Sequence, residues 1–275
     1  MTTADTRGAL RVHDVHVWFN QGTPQQVHAL RGASFELPAG AFATVVGSNG
    51  AGKSTMANVI GGGIRPSGGR VLIGDTDVTK EPEYRRARYI ARVFGDPLAG
   101  TVADMSIEDN VSMAMSRGHR RTMRLASTRA KRERIRETLS GLGLGLEDRL
   151  GQNVGLLSSG QRQSLTLAMA SVTRPDILLL DEHLSALDPM TKQRLTELTV
   201  RIAETTGCTT LMVTHSMEDA IRLGDHLLVM NEGSVVASFH GAEKEALTVS
   251  TLLDRIRDAG GTLSDRSLLD SVQPH

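Results

Sequence analysis

The sequence predicts an α/β fold: a mostly parallel sheet covered by helices on both faces, an N-terminal antiparallel β subdomain and an inserted helical lobe. Three observations predict it. A glycine-rich loop, Gly47-Ser48-Asn49-Gly50-Ala51-Gly52-Lys53-Ser54-Thr55, stands between a β-prone run at 43–46 and a helical pattern at 56–60. Strand patterns alternate with helical ones along much of the chain. Between about residues 95 and 160 the strand signals vanish, and helical periodicity with dense arginine replaces them.

Taken in order, residues 1–9 read as a loose leader. Residues 10–18 alternate apolar and polar (Val12, Val15 and Val17 among His13, Asp14 and His16), as a half-buried strand does. Gln21-Gly22-Thr23-Pro24 is a turn, residues 27–37 are a second strand closed by Pro38-Ala39-Gly40, and 42–46 are the strand entering the loop. A small antiparallel sheet before the loop is expected to lie over a nucleotide base. Trp18 or Phe19 then offers a flat face for stacking, with an ordinary core role as the competing account of either ring. After the loop helix, Gly61-Gly62-Gly63 and Pro66-Ser67-Gly68-Gly69 turn the chain into a strand at 70–74. A short basic helix or turn at 84–88 and a strand at 89–94 follow.

The inserted lobe is assigned to 95–160. It opens with a helix at 105–115, with Ser106 as N-cap and Asp109 three residues on. Nine basic residues lie between Arg117 and Arg136. No aromatic residue is interleaved with them, so they read as a solvated helical face rather than a nucleic-acid surface, and no nucleic acid is expected as a partner. Helix and strand then alternate again: helices at 161–172, 189–206 and 216–223, strands at 176–181, 209–214 and 225–230, and a hairpin at Asn231-Glu232-Gly233 into 235–239. The core is thus 10–94 with 161–241, and 242–275 is a helical tail whose last stretch looks weakly ordered.

Composition narrows the setting. The 275 residues carry a formal net charge of zero, so global charge calls for neither nucleic acid nor an anionic membrane. Cys208 is the single cysteine, which excludes an internal disulfide and suits a reducing compartment. No signal peptide is visible, and no apolar run approaches the roughly 20 residues that span a bilayer. A membrane role therefore works through a partner.

The loop meets every defined position of G-x-x-x-x-G-K-[ST] and sits between strand and helix, which marks a P-loop NTPase core. Its glycines let successive N–H groups turn inward around a phosphate, and the following helix offers its N-terminal N–H groups and positive dipole end. Lys53 is placed to reach the β- and γ-phosphates of ATP, and the Ser54 hydroxyl to bind Mg²⁺. Downstream, the apolar run Ile177-Leu178-Leu179-Leu180 ends in Asp181-Glu182. A strand ending in Asp brings a carboxylate to the sheet edge beside the loop. Asp181 is the metal candidate there, and Glu182 the group that polarises the attacking water.

Leu157-Ser158-Ser159-Gly160-Gln161 precedes that strand, Ser185-Ala186-Leu187-Asp188 follows it, and His215 ends the next. In this order and spacing the chain resembles the ATP-binding subunit of an ABC transporter, from about Leu10 to Phe239. Phe94-Gly95-Asp96-Pro97-Leu98-Ala99-Gly100-Thr101 and Asp181-Glu182-His183 are similar to a bacterial importer group associated with binding proteins for small, amino-acid-like solutes. The resemblance implies that two such subunits, or two copies of this one, pair head to tail. Each ATP would lie between the phosphate loop of one and Ser158, Ser159, Gly160 and Gln161 of the other, with Phe19 toward the base. His215 would contact the γ-phosphate and align Glu182, and Asp188 would couple the two sites. A transmembrane permease would dock on the helical lobe at the inner face of the membrane, fed indirectly by a solute-binding protein.

The chain departs from the family pattern twice. Gly95 stands where a glutamine is usual, and Ser159 where a glycine is usual. Tolerated or slowed hydrolysis is expected in preference to complete loss, because Lys53, Asp181, Glu182 and His215 are all present. The competing functions are a soluble ATP switch of the same fold in DNA repair or translation, and a nucleotide-binding subunit impaired in hydrolysis. A single phosphate loop, one cysteine and a modest insertion favour the transporter motor.

Overall fold

The computed structural model describes residues 8–117, 129–185 and 187–258. The leader, the middle of the basic run and the end of the tail lie outside these residues, as does Ala186.

Strands β1 (Leu10–Phe19) and β2 (Val27–Leu37) pair antiparallel, with Leu10 opposite Leu37 and Phe19 opposite Val27. Strict alternation from Leu10 and Val12 would turn Asp14 inward. A bulge prevents this: Asp14 adopts φ 47°, the register shifts between Val12 and Val15, and Val15 and Val17 return to the core side. Strand β3 (Phe42–Val46) is buried from Ala43 onward and leads through the glycine loop into α1 (Lys53–Gly61).

The next strands, β4 (Gly68–Ile73) and β5 (Thr76–Asp77), join β1 and β2 rather than the parallel sheet. The antiparallel sheet, expected to precede the loop, is therefore completed by strands that follow it, in the order β2-β1-β4-β5. Pairing of Leu10 with Ile73 and of Val12 with Val71 buries all four side chains, which no local pattern announces.

Helix α2 (Glu83–Arg86) brings Arg86 under the end of α1. Arg86 is buried, and its Nη1 donates to the carbonyls of Val59 (2.6 Å) and Ile60 (2.7 Å). Two of the carbonyls that a helix end leaves open are thereby satisfied. Strand β6 (Ile90–Phe94) leads into the lobe. There Ser106 caps α3 (Ile107–Met115) by accepting the Asp109 N–H, and α4 (Arg129–Gly141) and α5 (Ser159–Val172) follow. Ile107, Val111, Ile135, Leu139 and Leu150 form the lobe's core together with Leu165 and Met169 of α5. Arginines of α4 face outward, with Arg132 3.3 Å from Glu108 and Arg136 3.0 Å from Glu133.

Strand β7 (Ile177–Asp181), α6 (Pro189–Thr206), β8 (Thr209–Val213), α7 (Met217–Arg222), β9 (His226–Asn231) and β10 (Ser234–His240) complete the core; α8 (Gly241–Glu245) and α9 (Val249–Asp258) follow. The six-stranded sheet runs β10-β9-β3-β8-β7-β6 and is parallel except for β10. One face packs on α1 and the antiparallel sheet, through Val45, Leu179 and Met56. The other packs on α6 through Leu178, Leu180 and Leu195, and on α9 through Val229 and Leu252. Because β3, β7 and β8 are parallel, their carboxyl ends meet at one edge, where open α/β sheets bind ligands. Among the described residues no helix is long and apolar enough to cross a membrane.

Candidate nucleotide-binding site

The loop after β3 is shaped by two close approaches. Gly47 (φ 156°) presses on the Met230 carbonyl, where any Cβ would collide with it. Gly52 caps α1 at φ 97°; a Cβ there would come 2.9 Å from the Ala29 carbonyl oxygen. Among the described residues no side chain caps α1, so its first-turn N–H groups are left for an anion. Lys53 is 5% exposed, and its ammonium donates to the carbonyls of Gly47 (2.7 Å) and Ser48 (2.9 Å), at the centre of the curled loop. A cavity of about 500 Å³ opens there, lined by Ala29, Asn49, Lys53, Ser54, Glu182 and His215 among others.

Glu182 and His215 reach this cavity from the ends of β7 and β8. Glu182 Oε1 lies 2.7 Å from His215 Nε2, with both side chains about one-third exposed. Glu182 holds φ 53°, a left-handed conformation that costs a non-glycine residue free energy. Three bonds secure it: its N–H donates to the Val213 carbonyl (3.1 Å), and its carbonyl accepts the Ser185 N–H (3.0 Å) and the Ser185 hydroxyl (2.6 Å). Asp181 is engaged differently. It does not line the cavity, and its Oδ2 accepts from Arg92 Nη2 at 2.8 Å.

The remaining candidates stand apart from the loop. Ser158 and Gln161 form a reciprocal cap at the start of α5: the Ser158 hydroxyl accepts the Gln161 N–H (3.3 Å), and the Gln161 side-chain oxygen accepts the Ser158 N–H (3.2 Å). Ser158, Gly160 and Gln161 line a second cavity beside α6, and none lines the loop cavity; Ser159 is exposed. Asp188 caps α6 by accepting the Thr191 N–H (3.0 Å), and hydrogen bonding from the Thr191 side chain, then from that N–H, holds its carboxyl below the ordinary range. Phe19 is 38% exposed at the end of β1, paired with the cavity-lining Val27. The Trp18 ring is stacked on His28 at 3.7 Å, so one face of it is already covered. At Gly95, an added Cβ would come 3.1 Å from the Asp181 carbonyl oxygen and 3.2 Å from that of Glu182.

Sequence reasoning misses three features. Arg92 has a visible signal, a cation inside the apolar strand Ile90–Phe94, but its partner is distant in sequence. The left-handed turn at Glu182 has no residue signature. The pressure of Ala29 on Gly52 depends on how the two sheets meet.

His183, next in the chain, is 1% exposed. Its Nε2 meets the Thr199 hydroxyl at 3.0 Å, while Nδ1 is buried without a partner among the described residues. Burial pushes its pKa down to about 3, against an opposing pull from Asp219. Below pH 6.5 the unfolded chain therefore takes up a proton that the folded chain refuses until about pH 3. Stability falls across that window, by up to about 1.4 kcal/mol per pH unit. In His183→Gln, the loss of urea stability between pH 6.5 and pH 5 is expected to shrink by about 2 kcal/mol. An unchanged loss would remove His183 from the account.

A family model described as ABC transporter matches residues 30–185. The tyrosine transport ATP-binding protein of Clostridioides difficile (strain R20291) is 40% identical over 226 residues, covering 82% of this chain and 90% of that protein. The aliphatic sulfonates import ATP-binding protein SsuB of Escherichia coli (strain K12) is 34% identical, covering 78% of this chain and 80% of that protein. Among solved structures, the dimeric post-hydrolysis ATP-binding cassette MJ0796 bound to ADP and Pi has a TM-score of 0.72 and 26% identity, covering 84% of this chain and 98% of that one. CbiO1 from Clostridium perfringens, part of an ABC transporter complex, has a TM-score of 0.73 and 26% identity, covering 91% and 97%. The matched segment runs from β2 through the Asp181–Glu182 turn, and the chain belongs to the ABC transporter family, as one of its ATP-binding, ATP-hydrolysing subunits.

Proposed function

We propose that two copies of this chain pair head to tail around two MgATP molecules, and that hydrolysis drives a small solute inward through a separate membrane permease. The carrying observation is the separation of the two half-sites. Lys53, Ser54, Glu182 and His215 share one open cavity, while the capped start of α5 borders another. A second copy brings its α5 start to the first copy's loop, so the site closes only when a γ-phosphate is present to accept both sets of donors. The dimeric cassette with a similar fold supports this arrangement.

Within each half-site, Lys53 binds the β- and γ-phosphates and Phe19 faces the base. Glu182 orients the attacking water and accepts its proton at the carboxylate, His215 holds Glu182 in place, and Asp188 couples the copies. Ser54 and Asp181 fit Mg²⁺. They are hard oxygen donors on adjoining elements, and no group of three or more His, Cys, Asp or Glu residues able to hold a metal is present among the described residues. Mg²⁺ shared with phosphates needs only one or two protein donors. When bound, it neutralises charge on the phosphate oxygens.

We assign 10–94 and 161–241 to the ATP-binding core, 95–160 to the lobe that meets the permease at the cytoplasmic face, and 242–275 to the tail. The relative at 40% identity, a tyrosine transport ATP-binding protein, supports an amino-acid-like solute delivered by a binding protein. Gly95 fits closely against the carbonyls of Asp181 and Glu182, so a glutamine there would have to shift that turn slightly. The fit favours tolerated variation over loss of hydrolysis.

A tagged Glu182→Gln chain, drawn from its native membranes in mild detergent with MgATP, is expected to bring down an untagged second copy and an integral membrane protein. A strictly single copy would sink the head-to-tail pair. Ribosomes or DNA-repair proteins, with no integral membrane protein, would favour the soluble switch.

A further inference from the structure

The two residues assigned to Mg²⁺ stand on different elements, and a line of side chains joins them. Arg92 projects from β6, and its Nη2 donates to Asp181 Oδ2 at 2.8 Å. Nη1 of the same guanidinium donates to Asn58 Oδ1 at 2.8 Å, and Asn58 Nδ2 donates to the Ser54 carbonyl at 2.7 Å. Phe94 carries the flat face of the guanidinium, 4.5 Å from its ring centroid. The Arg92 and Asp181 side chains are only 13% and 15% exposed. Solvent screens such a pair little, and a planar guanidinium with two anchored donors has little freedom to leave it.

Asp181 thus carries a fixed cation on one of the two oxygens a metal would use. We propose that Arg92 is a positioning residue that sets the Mg²⁺ requirement of this site. It holds Asp181 in line with α1 and competes with Mg²⁺ for its charge, so the cation binds only together with the phosphates of the nucleotide. This inference rests on the ATP-site reading above. Without the guanidinium, Asp181 presents a full, partly buried negative charge, which a divalent cation binds more readily. With lysine at 92, the charge stays and only the fork to Asn58 is lost.

The test reads metal affinity, not turnover. The binding of a fluorescent ATP analogue is followed across Mg²⁺ concentrations, and Mn²⁺ binding without nucleotide is followed by electron paramagnetic resonance. Arg92→Gln is expected to lower the Mg²⁺ concentration for half-maximal effect by about tenfold, the scale of one charge-assisted pair, and Arg92→Lys to stay within about threefold of wild type. Arg92→Met keeps the straight stem over Phe94 and repeats the test if the glutamine variant does not fold. An unchanged or raised Mg²⁺ requirement in the charge-free variant overturns the proposal. Stoichiometric Mn²⁺ binding by the wild-type chain without nucleotide overturns it as well. A different pattern would break the ATP-site reading itself: wild-type ATP binding that ignores Mg²⁺, or a Mg²⁺ dependence that survives Asp181→Asn.

Discussion

Glu182→Gln is expected to lower the turnover of MgATP by about 10²- to 10³-fold while nucleotide affinity stays within about threefold. The substitution exchanges a carboxylate for an amide of the same shape. Its side chain still meets His215, 2.7 Å away in the wild type, and the backbone bonds to Val213 and Ser185 still hold the left-handed turn. What disappears is the group that accepts a proton from the attacking water, and that group acts on the chemical step rather than on ground-state binding. Steady-state phosphate release beside calorimetric ATP binding separates the two. Turnover near the wild-type rate would remove Glu182 as the base. Equal losses in turnover and affinity would mean that the turn at φ 53° has collapsed.

That turn also marks where the sequence stops being informative. The loop is legible because four defined residues in an eight-residue pattern have one economical use, and its flanking strand and helix follow from simple periodicity. Helix α6 is legible end to end, since Asp188 and Pro189 start it and Gly207 (φ 63°) ends it. Long-range partners are not legible. Nothing near residue 70 says that β4 pairs with β1. A strand alternation broken at Asp14 signals a bulge only once the pairing is known. Arg92 announces that a buried cation needs a partner, but the partner lies 89 residues away. Conformations such as that of Glu182 are imposed by the ends of two neighbouring strands, so they leave no trace in residue type.

Lys53→Ala is expected to weaken ATP binding by about 100-fold or more, measured by calorimetry at fixed Mg²⁺. Lys53 acts in two ways. An ammonium at the centre of the loop makes charge-assisted bonds to phosphate oxygens, and those bonds contribute about 3 kcal/mol together, which is about 100-fold in affinity. The same ammonium donates to the carbonyls of Gly47 and Ser48, so its removal also takes one donor from each, leaving Ser48 the Ala51 N–H. Lys53→Met separates the parts: it keeps the stem that fills the buried position and removes only the charge. Equal losses in both variants place the effect in the charge. A loss confined to alanine places it in the packing of the loop. Unchanged affinity in both would contradict the assignment of residues 47–55 as the phosphate cradle, and with it the site into which Glu182 and His215 converge.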